Sequence, residues 1–253
     1  MTAALWPRGG LGSGSSVPVG SEICSATGTL FGGWGLGLLT DVAQRSTGRR
    51  LSDLSVSYLR PVTEGSRLDV ACELLAAGRS LSHHRLEATD GGLPVFAGTA
   101  VVGPAPGPVD YGGGPPRVPP PWDCPERSYG SGPGTGTSVL LDVRCAREEV
   151  EAGVAGSALL WARVRCDAAD EVRLAVVSDH VPYLLRRAFP RLARVTTVSA
   201  SLRVLGGPVA DWILLEVSLV ACAERTAVGR VAMWSGGTAL VAVAEQTARL
   251  TQG

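Results

Sequence analysis

The chain has 253 residues, 45% of them hydrophobic and 18% charged, with 23 basic residues balancing 23 acidic ones. That length holds one large domain or two of ordinary size, and the composition excludes general disorder. A net charge of zero leaves no global basic field to hold nucleic acid or an anionic membrane.

The start, Met1–Arg8, has no basic segment followed by a long apolar run. No secretory signal is therefore expected, no apolar stretch reaches membrane-spanning length, and a cytoplasmic protein is the expectation. All basic residues are arginine and asparagine is absent, the mark of GC-rich bacterial coding. Residues 1–20, rich in Gly and Ser, read as a flexible N-terminal segment.

A first domain is expected over residues 21–103. Leu30, Trp34, Leu38 and Val42 recur every four residues, and Phe31, Leu36 and Leu39 fill the other faces. A helix apolar nearly all round is buried nearly all round. Gly32, Gly33, Gly35 and Gly37 are poor helix formers, so they point to close approach by another backbone or a ligand. Strands follow over 54–59, 67–75, 80–88 and 95–102, with Asp90-Gly91-Gly92 as a hairpin turn. His83 and His84 are adjacent on a strand and must face opposite ways.

Residues 104–137 carry Pro104, Pro106, Pro108, Gly112–Pro116 and Pro119–Pro121. Such a run cannot form a central helix or strand and reads as a linker. A second domain is expected over 138–253. It has strands at 138–143 and 158–166, a helix over 174–189 closed by Pro190, and strands over 196–205, 212–222, 226–235 and 238–250. Sixty-nine positions separate Phe31 from Ala100 and 68 separate Ser178 from Gln246, so the two halves repeat one plan. The cysteines at 24, 72, 124, 145, 166 and 222 show no metal or redox spacing, and neither a metal nor any other cofactor is expected.

The first half, running from Leu30-Phe31-Gly32-Gly33-Trp34 through Leu59-Arg60-Pro61 and Gly78-Arg79-Ser80 to Pro94-Val95-Phe96, resembles the N-terminal hotdog domain of the TesB-type acyl-CoA thioesterases. The second half resembles the C-terminal hotdog domain mainly in the order of its elements. The resemblance spans roughly residues 25–250. It implies an α+β double hotdog, two curved antiparallel sheets each wrapped around a long central helix, and hydrolysis of acyl thioesters. It also implies a catalytic group of Asp, Ser or Thr, and Gln. These types fall at Asp179, at Thr197 with Thr196 one step away, and at Gln246. Gly32, Gly33 and Trp34 are the expected substrate-binding positions.

The residue types suit the chemistry. A thioester carbonyl is reactive enough for a water that is oriented and partly deprotonated, and amides at a helix N-terminus can stabilise the developing oxyanion. Each residue also has an ordinary reading: Asp179 as a helix cap, Thr197 as a strand residue, and Gln246 as a buried amide that requires partners. An Asp179–His180 relay is not expected, because helix neighbours do not face each other. The expected partner is an acyl-CoA or acyl-carrier-protein thioester, with a homodimer open as an assembly and no nucleic acid or membrane insertion. Two alternatives stand beside hydrolysis: a hotdog dehydratase or hydratase, which wants a His paired with an acid, and a non-catalytic thioester binder.

Overall fold

A computed structural model of the chain describes residues 15–105, 107, 113–127, 134–153 and 155–253. Twelve strands form one antiparallel sheet in the order β1-β3-β4-β5-β2-β9-β12-β11-β10-β8-β7-β6. The first half supplies β1 (Ser15–Pro18), β2 (Arg50–Tyr58), β3 (Arg67–Ala77), β4 (Ser82–Asp90) and β5 (Leu93–Gly103). The second supplies β6 (Glu126–Arg127), β7 (Leu141–Glu151), β8 (Ala155–Val164), β9 (Leu192–Val204), β10 (Ile213–Cys222), β11 (Thr226–Ser235) and β12 (Ala239–Gln252). Most of the flexible segment expected at the start lies outside the described residues, but Ser15–Pro18 at its end pairs with β3.

The halves join where β2 pairs with β9, from Asp53–Arg203 to Ser57–Ser199. The sheets of the two halves thus join edge to edge into one. Joining them satisfies the backbone groups of two strands that would otherwise be open edges. Arg203 reinforces the seam through an ion pair with Asp53 at 2.5 Å.

Helix α1 (Gly32–Thr47) is the long buried helix the sequence predicts; Trp34, Leu36, Leu38, Leu39, Val42 and Ala43 are almost wholly buried. It stops at Gly48, whose φ of +67° is the left-handed conformation that only glycine adopts without strain. The second half departs from expectation. Instead of one long helix it has two of eight residues each, α2 (Asp170–Val177) and α3 (Val181–Ala188), with Ser178, Asp179 and His180 between them. Pro182 accounts for the break: a helix running through 178 would drive its ring into the Ser178 carbonyl and leave one backbone bond unmade. The Ser178 hydroxyl donates instead to the Ala175 carbonyl at 2.8 Å.

The helices share one continuous core with the inner face of the sheet, spanning both halves. A smaller cluster, Cys124, Leu159, Trp161, Leu214 and Trp234, lies on the outer face of the second half. The described part of the linker covers it, and the Trp161 indole donates to the Pro119 carbonyl at 2.9 Å. The linker's end docks on the first half, where Thr137 Oγ1 accepts from the Trp34 indole at 2.7 Å. No helix among the described residues is long and apolar enough to cross a membrane.

Candidate active site

The break between α2 and α3 places Asp179 against the start of α1. The Gly33 backbone N–H donates to Asp179 Oδ2 at 3.1 Å, across 146 positions of chain. Residue 31, which would ordinarily cap this helix, is a phenylalanine with no side-chain acceptor. The second half therefore supplies the cap for the first half's helix, and the helix dipole favours the negative charge there.

Gln246, on β12, completes the arrangement. Its Nε2 donates to Asp179 Oδ1, and its Oε1 accepts the Val181 N–H at 3.0 Å. One amide thus joins the carboxylate at the start of α1 to the start of α3. Asp179 is 5% exposed and Gln246 1%. Burial pushes the Asp179 carboxyl above the ordinary value, and the hydrogen bonds from Gln246, Gly33 and Gly32 oppose that rise.

Gly32 and Gly33 leave the room this contact needs. A Cβ on Gly33 would stand 2.1 Å from the Val176 carbonyl oxygen, and one on Gly32 would stand 2.6 Å from Asp179 Oδ2. It is the other half's backbone and carboxylate that come close at these positions. Trp34, placed among the substrate-binding positions by the resemblance, has no exposed surface and spends its polar atom on Thr137.

Thr197 is not brought into this cluster. Gln246 stands opposite Ala200 on β9, whereas Thr197 stands opposite Ala248, with a register shift between. Because Ala248 is buried on the same face as Gln246, the shift turns Thr197 to that face and leaves Thr196 pointing out. Among the described contacts, Thr197 bonds neither Asp179 nor Gln246.

His180 is fully buried, its Nδ1 2.9 Å from the Val177 carbonyl and its ring edge-on to Phe31; burial lowers its pKa to about 4. His84 turns inward beside Ser82 and His83 outward. Among the described residues no three His, Cys, Asp or Glu side chains are grouped to hold a metal.

One residue of the site was not singled out from the sequence. Tyr58, the last residue of β2, donates its hydroxyl to the Gly32 carbonyl at 2.9 Å and packs edge-on against Phe96. Its signal was present: two positions beyond the buried Val56, it must face inward. The site is composite, with Gly32, Gly33 and Tyr58 from one half and Asp179 and Gln246 from the other.

One antiparallel sheet with its helices on the inner face, built twice over, is a hotdog arrangement in double form, shared with solved thioesterase structures. A protein from Novosphingobium aromaticivorans assigned as a thioesterase is 27% identical over 97% of this chain and 98% of its own, with a TM-score of 0.81. The tesB protein of Mycobacterium avium subs paratuberculosis is 17% identical over 97% and 96%, with a TM-score of 0.77. The acyl-CoA thioesterase II TesB2 of Mycobacterium marinum is 21% identical over 88% and 90%, with a TM-score of 0.70. No curated protein matches the chain.

The family models settle the class. The acyl-CoA thioesterase N-terminal domain matches residues 21–103 and the acyl-CoA thioesterase C-terminal domain matches residues 117–250. The chain belongs to the acyl-CoA thioesterase family and has the two-domain TesB-type form; it is an enzyme of thioester hydrolysis.

Proposed function

We propose that the chain hydrolyses acyl-CoA thioesters with Asp179 as general base. The observation that carries this reading is the meeting of Asp179, Gln246 and the start of α1 at one buried point, drawn from both halves. A carboxylate has about four acceptor positions, so one remains after Gln246, Gly33 and Gly32 have donated. That position accepts a proton from a water that attacks the thioester carbonyl. The tetrahedral intermediate then collapses, the carbon–sulfur bond breaks, and the thiolate recovers that proton from Asp179. The products are the free acid and CoA thiol.

Gln246 orients the carboxylate and is in turn oriented by the Val181 N–H. Thr197, turned to the same face midway along β9, directs the water. A raised carboxyl pKa suits a base working near neutral pH, where proton transfer is best matched. The closed setting of Asp179 also keeps bulk water away from the carboxylate until the thioester arrives.

The test is Asp179→Asn with acetyl-, hexanoyl- and palmitoyl-CoA, following the free thiol. Loss of a general base costs about 10²–10⁴-fold in turnover. The Asn amide must also face one of these donors, so the variant should be less stable by about 1–3 kcal/mol. A folded variant that melts lower but turns over like the parent would reduce Asp179 to a cap and refute the mechanism. The same panel separates CoA chain lengths, and an acyl-carrier-protein thioester can be added to it.

A further inference from the structure

The Asp179 carboxylate is closed in, and the first half supplies the cover. Tyr58 Cε1 and Asp179 Oδ2 flank the same point beside Gly32: a Cβ built there would stand 3.2 Å from the ring and 2.6 Å from the carboxylate oxygen. The phenol hydroxyl is tied to the Gly32 carbonyl, and the ring is braced edge-on by Phe96 at a centroid distance of 5.2 Å. Tyr58 as a whole residue is nevertheless only partly buried.

Its place in the sheet explains this. The pairing of β2 with β9 runs as far as Ser57–Ser199, and Tyr58 lies just past it. Leu59, 48% exposed, follows, and the Leu59 and Arg60 N–H groups still donate to the Val95 carbonyl of β5. On β9 the corresponding positions are the bulged Val198, 43% exposed, and the inward-facing Thr197. Tyr58 therefore stands where β2 stays with β5 but is no longer paired with β9, with Leu59 and Val198 exposed beside it and Asp179 behind it.

Building on the assignment of Asp179 as base, we infer that Tyr58 is a positioning residue that covers Asp179 at this end of the β2–β9 pairing, latched in the substrate-free protein by its hydrogen bond to the Gly32 carbonyl. An acyl thioester enters by breaking that latch and swinging the ring aside. The closed ring keeps the carboxylate dry. Burial is the largest cause of the raised Asp179 pKa, and the Asp179 charge in turn helps raise that of Tyr58. Among the described residues the titratable side chain facing Asp179 is Tyr58 from β2; His180 adjoins it in sequence but turns to Phe31 and the Val177 carbonyl, and α1 presents only glycine backbone there.

Two variants separate the latch from the ring. Tyr58→Phe keeps the ring and its Phe96 contact but lacks the hydroxyl. A closed state weakened by one neutral hydrogen bond shifts the closed-to-open ratio by about 2- to 10-fold. Apparent substrate affinity scales with the open fraction, so KM should fall by that factor while kcat holds. Tyr58→Ala removes the cover, admits water to Asp179, and should move the acidic limb of the kcat/KM profile to lower pH.

Both are run beside the parent and Asp179→Asn on the fastest acyl-CoA of the panel, with folding checked by thermal melt. If Asp179→Asn keeps full turnover, the base assignment fails. If it loses turnover while Tyr58→Phe leaves KM unchanged or raised, the latch is wrong. An acidic limb that stays in place in a folded Tyr58→Ala protein overturns the cover. Should Tyr58→Ala not fold, the KM of Tyr58→Phe decides alone.

Discussion

Gly33→Ala is the sharpest probe of how the two halves are joined. The new methyl carbon would lie 2.1 Å from the Val176 carbonyl oxygen and 2.8 Å from a ring carbon of Phe31. Contact at ordinary van der Waals distance requires α1 and α2 to part by roughly 1 Å. The obstacle is helical backbone, which cannot rotate away as a side chain can. Overpacking of this kind costs about 1–3 kcal/mol. The same movement stretches the Gly33 N–H bond to Asp179, worth about 1.5–3 kcal/mol because its acceptor is charged. Alanine returns about 1 kcal/mol of helix propensity. The net loss is about 2–5 kcal/mol, which in a chain of this size lowers the melting temperature by roughly 5–15 °C. Gly37→Ala supplies the control. Its methyl would press on the Cγ2 of Val176 at 2.8 Å, a buried side chain rather than helical backbone, and the propensity gain offsets part of the strain, so its loss should be the smaller one. Thermal melts and acyl-CoA turnover of both variants give the comparison. Equal melting temperatures for Gly33→Ala and the parent would show that α1 and α2 are not held at this spacing.

Acid should destabilise the protein through His180. The unfolded chain takes up this proton near pH 6.5, the folded chain only near 4, so stability complete above 6.5 is lost between those values, by ~3 kcal/mol. Asp179, whose carboxyl is raised, works in the opposite sense: its stability is greatest below the unfolded carboxylate pKa and declines as pH rises through the folded one. Melts at pH 7 and 4.5 should therefore differ more in the parent than in His180→Gln, and an equal difference would count against a neutral buried imidazole. Arg50→Ala tests the far end of the helix pair. Arg50 Nε donates at 2.5 Å to Glu171, which is 2% exposed and also accepts from Gln44 Nε2 at 3.0 Å. Because half of the arginine side chain is in water and Gln44 remains, the loss should be about 1–3 kcal/mol by denaturant titration. A midpoint equal to the parent's would mean Gln44 suffices.

The sequence by itself determined ten of the twelve strands, α1 and the double plan; β1 and β6 lie in the segments read as flexible and as linker. Alternation, apolar runs and turn residues are local signals, and Asp90-Gly91-Gly92 and Gly236-Gly237 stand where β4–β5 and β11–β12 turn. It also supplied the residue types of the site, through a resemblance carried by short motifs in order. Pro182 was a legible sign that the second helix must break, outweighed by the apolar run around it. Only the tertiary structure decided that the sheets join through β2 and β9 and that Asp179 caps a helix 146 positions away. The same holds for Thr197, turned inward by a register shift yet out of hydrogen-bonding contact with Gln246. The reason is physical. A bulge adds one residue without a marker of its own, and an open strand edge or an uncapped helix states only that a partner is required. Which residue answers that requirement is fixed when the halves pack, and Tyr58 entered the site in the same way.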